Sequence, residues 1–361
     1  MASLSDQLLT VAVLCYAIAM LGYAVEYAFG ARSLVGRVAR ERELVGAAAV
    51  AGSSRVGAAA EPSGTSALTG PDSTGPDVTA EAIDDTADDG APAGPPVSPR
   101  AAALAGAAAL WLTVVGAVAQ AGCLLARGIA AGRVPWGNMY EFVVAVCLVG
   151  VVAWLVIAFR RPVRHLGLFV TLVVVSLLGF AAVRLYTEAG PLMPALNSYW
   201  LQIHVSAAIL ATGVLLVGFV GAAMYLIRDR YDLIARAESP EDDPRPLRFP
   251  ISLGPRLPDA ETLERMTFRL HALAFPIWTF AIMAGAVWAE EAWTRYWGWD
   301  PKEVWAFISW VVYAAYLHAR ATAGWRRSTS AWIAVVGWAT MLVNLFVVNL
   351  VIEGLHSYSG A

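Results

Sequence analysis

Charge is scarce in this sequence. Only 15% of its 361 residues are Asp, Glu, Lys or Arg, where a soluble domain carries about 25%, and that shortfall excludes an ordinary soluble enzyme. Lysine is reduced to one residue, Lys302, the net charge is −3, and no block of basic residues occurs, so the chain is not a nucleic-acid binder. Cysteine is nearly absent. Cys15, Cys123 and Cys147 all lie in apolar runs and form no CxxC pair, which excludes a disulfide framework or a thiolate metal site and leaves core packing as their role.

Apolar residues make up 58% of the chain, and the mean hydropathy is +0.59. A spanning helix needs about 20 mostly apolar residues. Eight runs approach this: Leu8–Phe29, Ala101–Ala126, Phe142–Phe159, Leu166–Val183, Ile203–Ile227, Leu270–Ala289, Val304–Ala319 and Ala331–Ile352. The seventh is short but can start at Pro301. The fold class is therefore all-α, a polytopic membrane protein with about eight transmembrane helices. No basic residue precedes the first run, and Arg32 and Arg37 follow it, so it reads as a retained span rather than a signal peptide. Alternate connections hold 20 of the 25 basic residues. The opposite side holds only Arg127, Arg133, Arg184, Arg295 and Lys302, so the positive-inside rule puts both termini outside the cytoplasm. Residues 31–100 are rich in Gly, Pro, Ala, Ser, Thr and Asp, with no basic residue from Val56 to Pro99. They read as a disordered cytoplasmic linker that ties span 1–30 loosely to a core of seven helices over 101–361. A short helix is expected at Asp259–Met266, leading into the sixth span. No internal repeat is evident.

Six of the 14 tryptophans fall within 23 residues, from Trp288 to Trp310, around an outer loop at 288–305. An aromatic belt at the membrane surface is one reading. A belt distributes its rings over many helix ends, however, and a cluster at one end offers a surface for a large planar ligand. Within it, Asp300-Pro301-Lys302-Glu303 reads as a helix start, with Asp as N-cap, proline at the first helical position and Glu at the third.

Five histidines remain. His204 lies at the outer end of the fifth span and His356 just past the outer end of the eighth, on the face that carries the tryptophans. Two neutral imidazoles beside an aromatic platform suit axial ligation of haem iron. Each taken alone reads as an interfacial residue, and only their joint placement favours ligation. His318 sits within the seventh span near its cytoplasmic end. An ionisable group there is a functional-site candidate, but it lies on the opposite face and cannot share the ligand of the other two. His165 and His271 read as residues of the cytoplasmic interface.

The run Trp297-Gly-Trp-Asp-Pro-Lys-Glu-Val-Trp305 resembles the WWD signature of haem-handling proteins. Further matches occur in order: Pro135-Trp-Gly-Asn138-Met-Tyr140-Glu141-Phe, Asn197-Ser-Tyr-Trp200-Leu-Gln-Ile-His204-Val, Phe275-Pro followed by Ala-Gly-Ala-Val-Trp288, His318-Ala-Arg, and Gly354-Leu-His356-Ser-Tyr358. From about Ala101 to Tyr358 the chain resembles the CcsA/ResC family of system II cytochrome c biogenesis proteins, of the kind labelled CcsB in actinobacteria. The resemblance implies a protein of the bacterial cytoplasmic membrane with the WWD loop on the extracytoplasmic side. Such a protein binds haem b, moves it to the outer face and, with a ResB-type membrane partner, acts as a haem lyase that attaches it to CxxCH of apocytochrome c. A thiol-reducing protein keeps the apocytochrome ready. His204 and His356 match the two external histidines, and His318 the histidine that binds haem in transit, whose second ligand is expected from the partner. The chain departs from the family in its long acidic linker and in His271, which stands where an apolar residue is expected and is either incidental or an extra ligand.

The expected chemistry joins haem vinyl groups to the two cysteines of CxxCH, and this chain has no CxxC of its own. His204 and His356 would hold the iron, Trp293, Trp297, Trp299 and Trp305 would seat the porphyrin, and Asp300 would shape the loop. The rival readings are a haem exporter whose partner performs attachment, a WWD protein that delivers haem to a chaperone, a quinol or di-haem electron carrier, and a structural membrane subunit.

Overall fold

A computed structural model of the chain describes residues 2–30, 97–191, 196–237 and 247–356. Among these residues there are eight long helices and no strand. They are α1 (Ala2–Phe29), α2 (Pro99–Ala131), α3 (Met139–Arg160), α4 (Gly167–Arg184), α5 (Tyr199–Ala237), α6 (Ala260–Trp293), α7 (Pro301–Ala321) and α8, which runs from Arg327 through a π turn at Val343–Val347 to Leu350. Every expected span is a helix. Seven of the eight are long and apolar enough to cross a membrane, and α7 is the exception. It does begin at Pro301, but Lys302, Glu303, His318 and Arg320 at its two ends dilute its hydropathy. The chain is an all-helical polytopic membrane protein. The segment expected at Asp259–Met266 is the first part of α6, capped by the Asp259 side chain on the Thr262 N–H.

The helix starts follow local rules. The Ser98 hydroxyl accepts from Ala101 N, with Pro99 at the first helical position. Asn138 Oδ1 accepts from Glu141 N at 2.8 Å. Each satisfies one of the orphan donors at a helix N-terminus. Helix α2 therefore takes in Pro99 and Arg100, the last two residues of the expected linker, and residues 31–96 of that linker lie outside the described residues.

The first helix is not loosely held. It packs on α2 and α4 through a stripe of buried tyrosines. The Tyr16 hydroxyl donates to Gln120 Oε1 at 2.6 Å, Tyr23 bonds to Thr113 at 3.1 Å, and Tyr27 donates to the Leu253 carbonyl at 2.8 Å. Glu26 pairs with Arg164 at 2.5 Å. An apolar environment offers these hydroxyls no water, so each needs a protein partner. His165 stacks on Tyr27 with ring centroids 6.4 Å apart and is buried. It thus packs between α1 and the start of α4. The centre of the bundle is α5, the most enclosed of the spanning helices, which packs along α6 and also touches α3 and α8.

Candidate functional site

The end of α6 and the start of α7 flank the tryptophan loop. Here α6 runs further than expected and carries Trp288 and Trp293 on its last turns, so the connection proper spans 294–300. Thr294 and Trp299 both adopt a left-handed backbone, an uncommon state for residues with side chains, and for a β-branched threonine a costly one. The turn closes on Asp300. Its carboxylate caps α7, and Glu303 returns the bond to the Asp300 N–H at 3.0 Å and to Gly298 N at 2.8 Å. The expected capping box is present in full.

Asp300 does more than cap. Its second oxygen accepts from Leu355 N at 2.7 Å, and Oδ1 accepts from His356 Nδ1 at 2.8 Å. A carboxylate cannot donate here, so Nδ1 carries the imidazole hydrogen and Nε2 carries a lone pair. Burial would raise the Asp300 carboxyl, but the bonds from His356 and Leu355 outweigh it and hold the group down at about 2. Burial also lowers His356 below the ordinary imidazole range, against the pull of Asp300, so the ring is neutral at pH 7.

His204, on the first turns of α5, is oriented in the same way. Its Nδ1 lies 2.7 Å from the carbonyl of Ala281 on α6. A carbonyl only accepts, so Nδ1 again bears the hydrogen and Nε2 the lone pair. The close approach depends on Gly285, where a Cβ would lie 2.7 Å from the His204 ring. Both imidazoles flank Trp288. His204 lies parallel to it (9°, centroids 6.2 Å apart), and His356 lies 5.8 Å away and 5.1 Å from Trp293.

His204 and His356 line one cavity together with Trp288, Trp293, Trp297 and Lys302. The cavity also takes in residues that the sequence reading passed over as site residues: Trp136, Trp278, Asn344 and Asn349. Trp136 and Asn138 lie in the Pro135–Phe142 motif, which was the available signal. Between them, Gly137 N donates at 2.9 Å to Glu141, a fully buried carboxylate that also accepts from Arg133 at 2.7 Å and Arg127 at 3.1 Å.

The remaining expected site residues are placed elsewhere. Trp299 and Trp305 are not in the cavity wall. Trp299 is 70% exposed and meets Trp297 edge-on at 5.8 Å. His318 is exposed near the far end of α7, close in sequence to Arg320, which pairs with Glu264. His271 is enclosed within the bundle. It is 1% exposed, packed against Tyr316 and Tyr313 at ring separations of 4.5 and 5.5 Å, and is not among the residues that line this cavity.

Two imidazoles with committed Nδ1 hydrogens on one aromatic-walled cavity form a donor set for a planar metal complex. Residues 136–356, which span the cavity, match the family described as Cytochrome C assembly protein. The chain is 35% identical over 292 residues to a protein named Cytochrome c biogenesis protein CcsA of Gloeobacter violaceus, with 68% of this chain and 84% of that one covered. It is 37% identical over 280 residues to the protein of the same name from Synechococcus sp. strain JA-3-3Ab, with 66% and 81% covered. A third such relative, from Gloeothece citriformis, is 37% identical over 273 residues, with 66% and 83% covered. The chain belongs to the CcsA family of cytochrome c assembly proteins, and its role lies in cytochrome c biogenesis.

Proposed function

We propose that the cavity holds haem b with His204 and His356 as axial ligands to the iron, and that the chain, with a ResB-type partner, acts as a haem lyase on apocytochrome c. The observation that supports this most directly is the tautomer of the two histidines. Both Nδ1 hydrogens are consumed by fixed acceptors, Ala281 O and Asp300, which leaves both Nε2 lone pairs for a metal on a wall made of tryptophan. On this reading the tryptophan-loop end faces outside the bacterial cytoplasmic membrane, as the arginine distribution indicates. His318, exposed at the other end of the bundle, binds haem in transit together with a ligand from the partner.

The reaction adds each apocytochrome thiol across a haem vinyl group. The S–H bond breaks, a C–S bond forms, and the hydrogen goes to the neighbouring vinyl carbon. A thiol-reducing protein supplies the free thiols. The contribution of this chain is position. Trp288, Trp293 and Trp297 hold the ring plane, Asp300 and Ala281 aim the ligands, and the histidine of the arriving CxxCH displaces one of them.

The test is the visible spectrum of the purified chain with its partner, in wild type and in His204→Ala, His356→Ala and His318→Ala. A reduced low-spin b-type spectrum is expected in wild type and lost in the first two variants. His318→Ala is expected to lower loading without changing band shape. A colourless wild-type complex from haem-replete cells would overturn the proposal. If His356→Ala still delivers haem outward but attaches none, export by this chain and attachment by its partner are separate functions.

A further inference from the structure

One wall of the cavity, made by the start of α7 and the end of α8, is built unlike the rest. Lys302 is the only lysine of the chain and, among the described residues, the only Lys or Arg that lines the cavity. It sits in the first turn of α7, where the helix dipole opposes a positive charge. The carboxylates beside it are already engaged, Asp300 by His356 and Leu355 and Glu303 by Gly298 and Asp300. The Lys302 ammonium, with three hydrogens to give, makes one hydrogen bond among the described residues, to Asn349 Oδ1 at 2.9 Å.

Two amides stand with it. Asn349 Nδ2 donates to the Leu345 carbonyl at 2.6 Å, so its oxygen is turned toward the lysine. Asn344 is 6% exposed and lines the same cavity, and its side-chain oxygen has no partner among the described residues. That oxygen is enclosed in the protein, so Asn344 contributes an incompletely bonded amide to the cavity wall. Asn344 belongs to the π turn of α8, a local widening of the kind that recurs at functional sites. Arg127, the buried arginine among the described residues, meets a carboxylate directly, that of Glu141. Lys302 faces an apolar cavity with hydrogens to spare, an arrangement that is costly unless an anion fills it.

We propose that Lys302, with Asn344 and Asn349, forms a carboxylate subsite that takes a propionate of the haem held by His204 and His356. The proposal rests on the reading of the cavity as a haem site. It gives the ring a direction. The propionate edge lies against the α7–α8 wall, and the vinyl edge, on the other side of the porphyrin, is turned away from it.

The test uses the full chain in detergent, reconstituted with haem or with haem dimethyl ester, which keeps iron and ring and lacks the two charges. Wild type is expected to retain haem about tenfold or more over the ester, the scale of one desolvated charge pair. Lys302→Met should lose that preference while the low-spin spectrum persists, and Lys302→Arg should restore part of it. Asn349→Asp, which leaves the lysine in place but gives it a carboxylate, should also reduce the preference. Equal retention of haem and ester by wild type, or a full preference in both Lys302→Met and Asn349→Asp, would overturn the subsite while leaving the histidine ligation intact. A wild-type chain that binds neither compound would overturn both readings.

Discussion

His204 and His271 occupy nearly equivalent places on the α5–α6 pair, yet only one is equipped for chemistry. Each reaches from one helix over a glycine of the other, His204 over Gly285 and His271 over Gly218, and at both glycines a Cβ would come within 2.7 Å of the ring. Each has its Nδ1 on a backbone carbonyl. The difference lies in the other nitrogen. His204 turns that side to a cavity beside Trp288. His271 is closed in by Tyr313 and Tyr316, and its Nε2 has no hydrogen-bond partner among the described residues. A buried histidine with a fixed tautomer is thus only half of a ligand. The other half is space for something to bind.

The sharpest way to break this comparison is to remove each ring. His204→Ala should abolish the low-spin haem spectrum of the chain. His271→Ala should leave the spectrum unchanged and cost about 2–3 kcal/mol of stability through the cavity it opens, read as a lower midpoint of thermal unfolding in detergent. Loss of the spectrum in His271→Ala, in a chain that still folds, would make His271 a haem ligand and overturn the pairing of His204 with His356.

Filling the glycines is a gentler form of the same comparison. Gly285→Ala pushes on His204 from behind, so haem retention should fall by about 10–100-fold, the usual effect of disturbing a ligand's support. Gly218→Ala pushes on His271 and should cost about 1–3 kcal/mol by overpacking, with the haem spectrum intact.

Asp300→Asn sharpens the comparison from the His356 side. Asparagine caps helices as well as aspartate does, so α7 should start as before. What is lost is the carboxylate that holds His356, and retention should fall toward the lower end of the same 10–100-fold range. The pH profile separates positioning from folding. His356 is already lowered by burial, so it is neutral above the ordinary imidazole range and releases the iron as acid protonates it. Asp300 opposes that lowering, so in Asp300→Asn acid release should move to lower pH. Asp300 itself is held at about 2. The stability it contributes is complete above its ordinary value near 3.8 and is lost as pH falls from there toward 2.

Much of this was legible in the sequence, for reasons that differ by element. The helices could be read because lipid leaves only long apolar runs as spanning elements. The Asp300 capping box could be read because capping is local. The pairing of His204 with His356 was accessible because the alternation of spans fixes which helix ends share a face. Three things were not legible. Burial of His271 depends on α7 lying across it, which is a tertiary fact. The Asp300–His356 bond joins residues far apart in sequence, and no local pattern marks it. The tyrosine stripe that docks α1 was hidden because tyrosines at helical spacing read equally well as interfacial residues. The Arg127–Glu141–Arg133 cluster bears on orientation too. Two of the five basic residues on the tryptophan side share one buried carboxylate, which offsets one of their two charges, so the net positive charge on that side is smaller than the count of basic residues suggests.

The smallest expected effect concerns Trp299, which the WWD run marks as strongly as its neighbours. Sequence alone cannot tell its ring from that of Trp297, yet the left-handed backbone at Trp299 turns it out to 70% exposure, while Trp297 faces the cavity. Trp299→Leu should therefore change stability by no more than about 0.5 kcal/mol and leave haem retention within about twofold of wild type. Trp288→Leu, which removes the ring both histidines touch, should weaken retention far more. If Trp299→Leu reduces cytochrome c maturation while haem retention stays normal, the exposed ring belongs to the surface that receives the apocytochrome rather than to the one that holds haem. Measuring retention and maturation on the same variant therefore separates the two sides of the tryptophan loop.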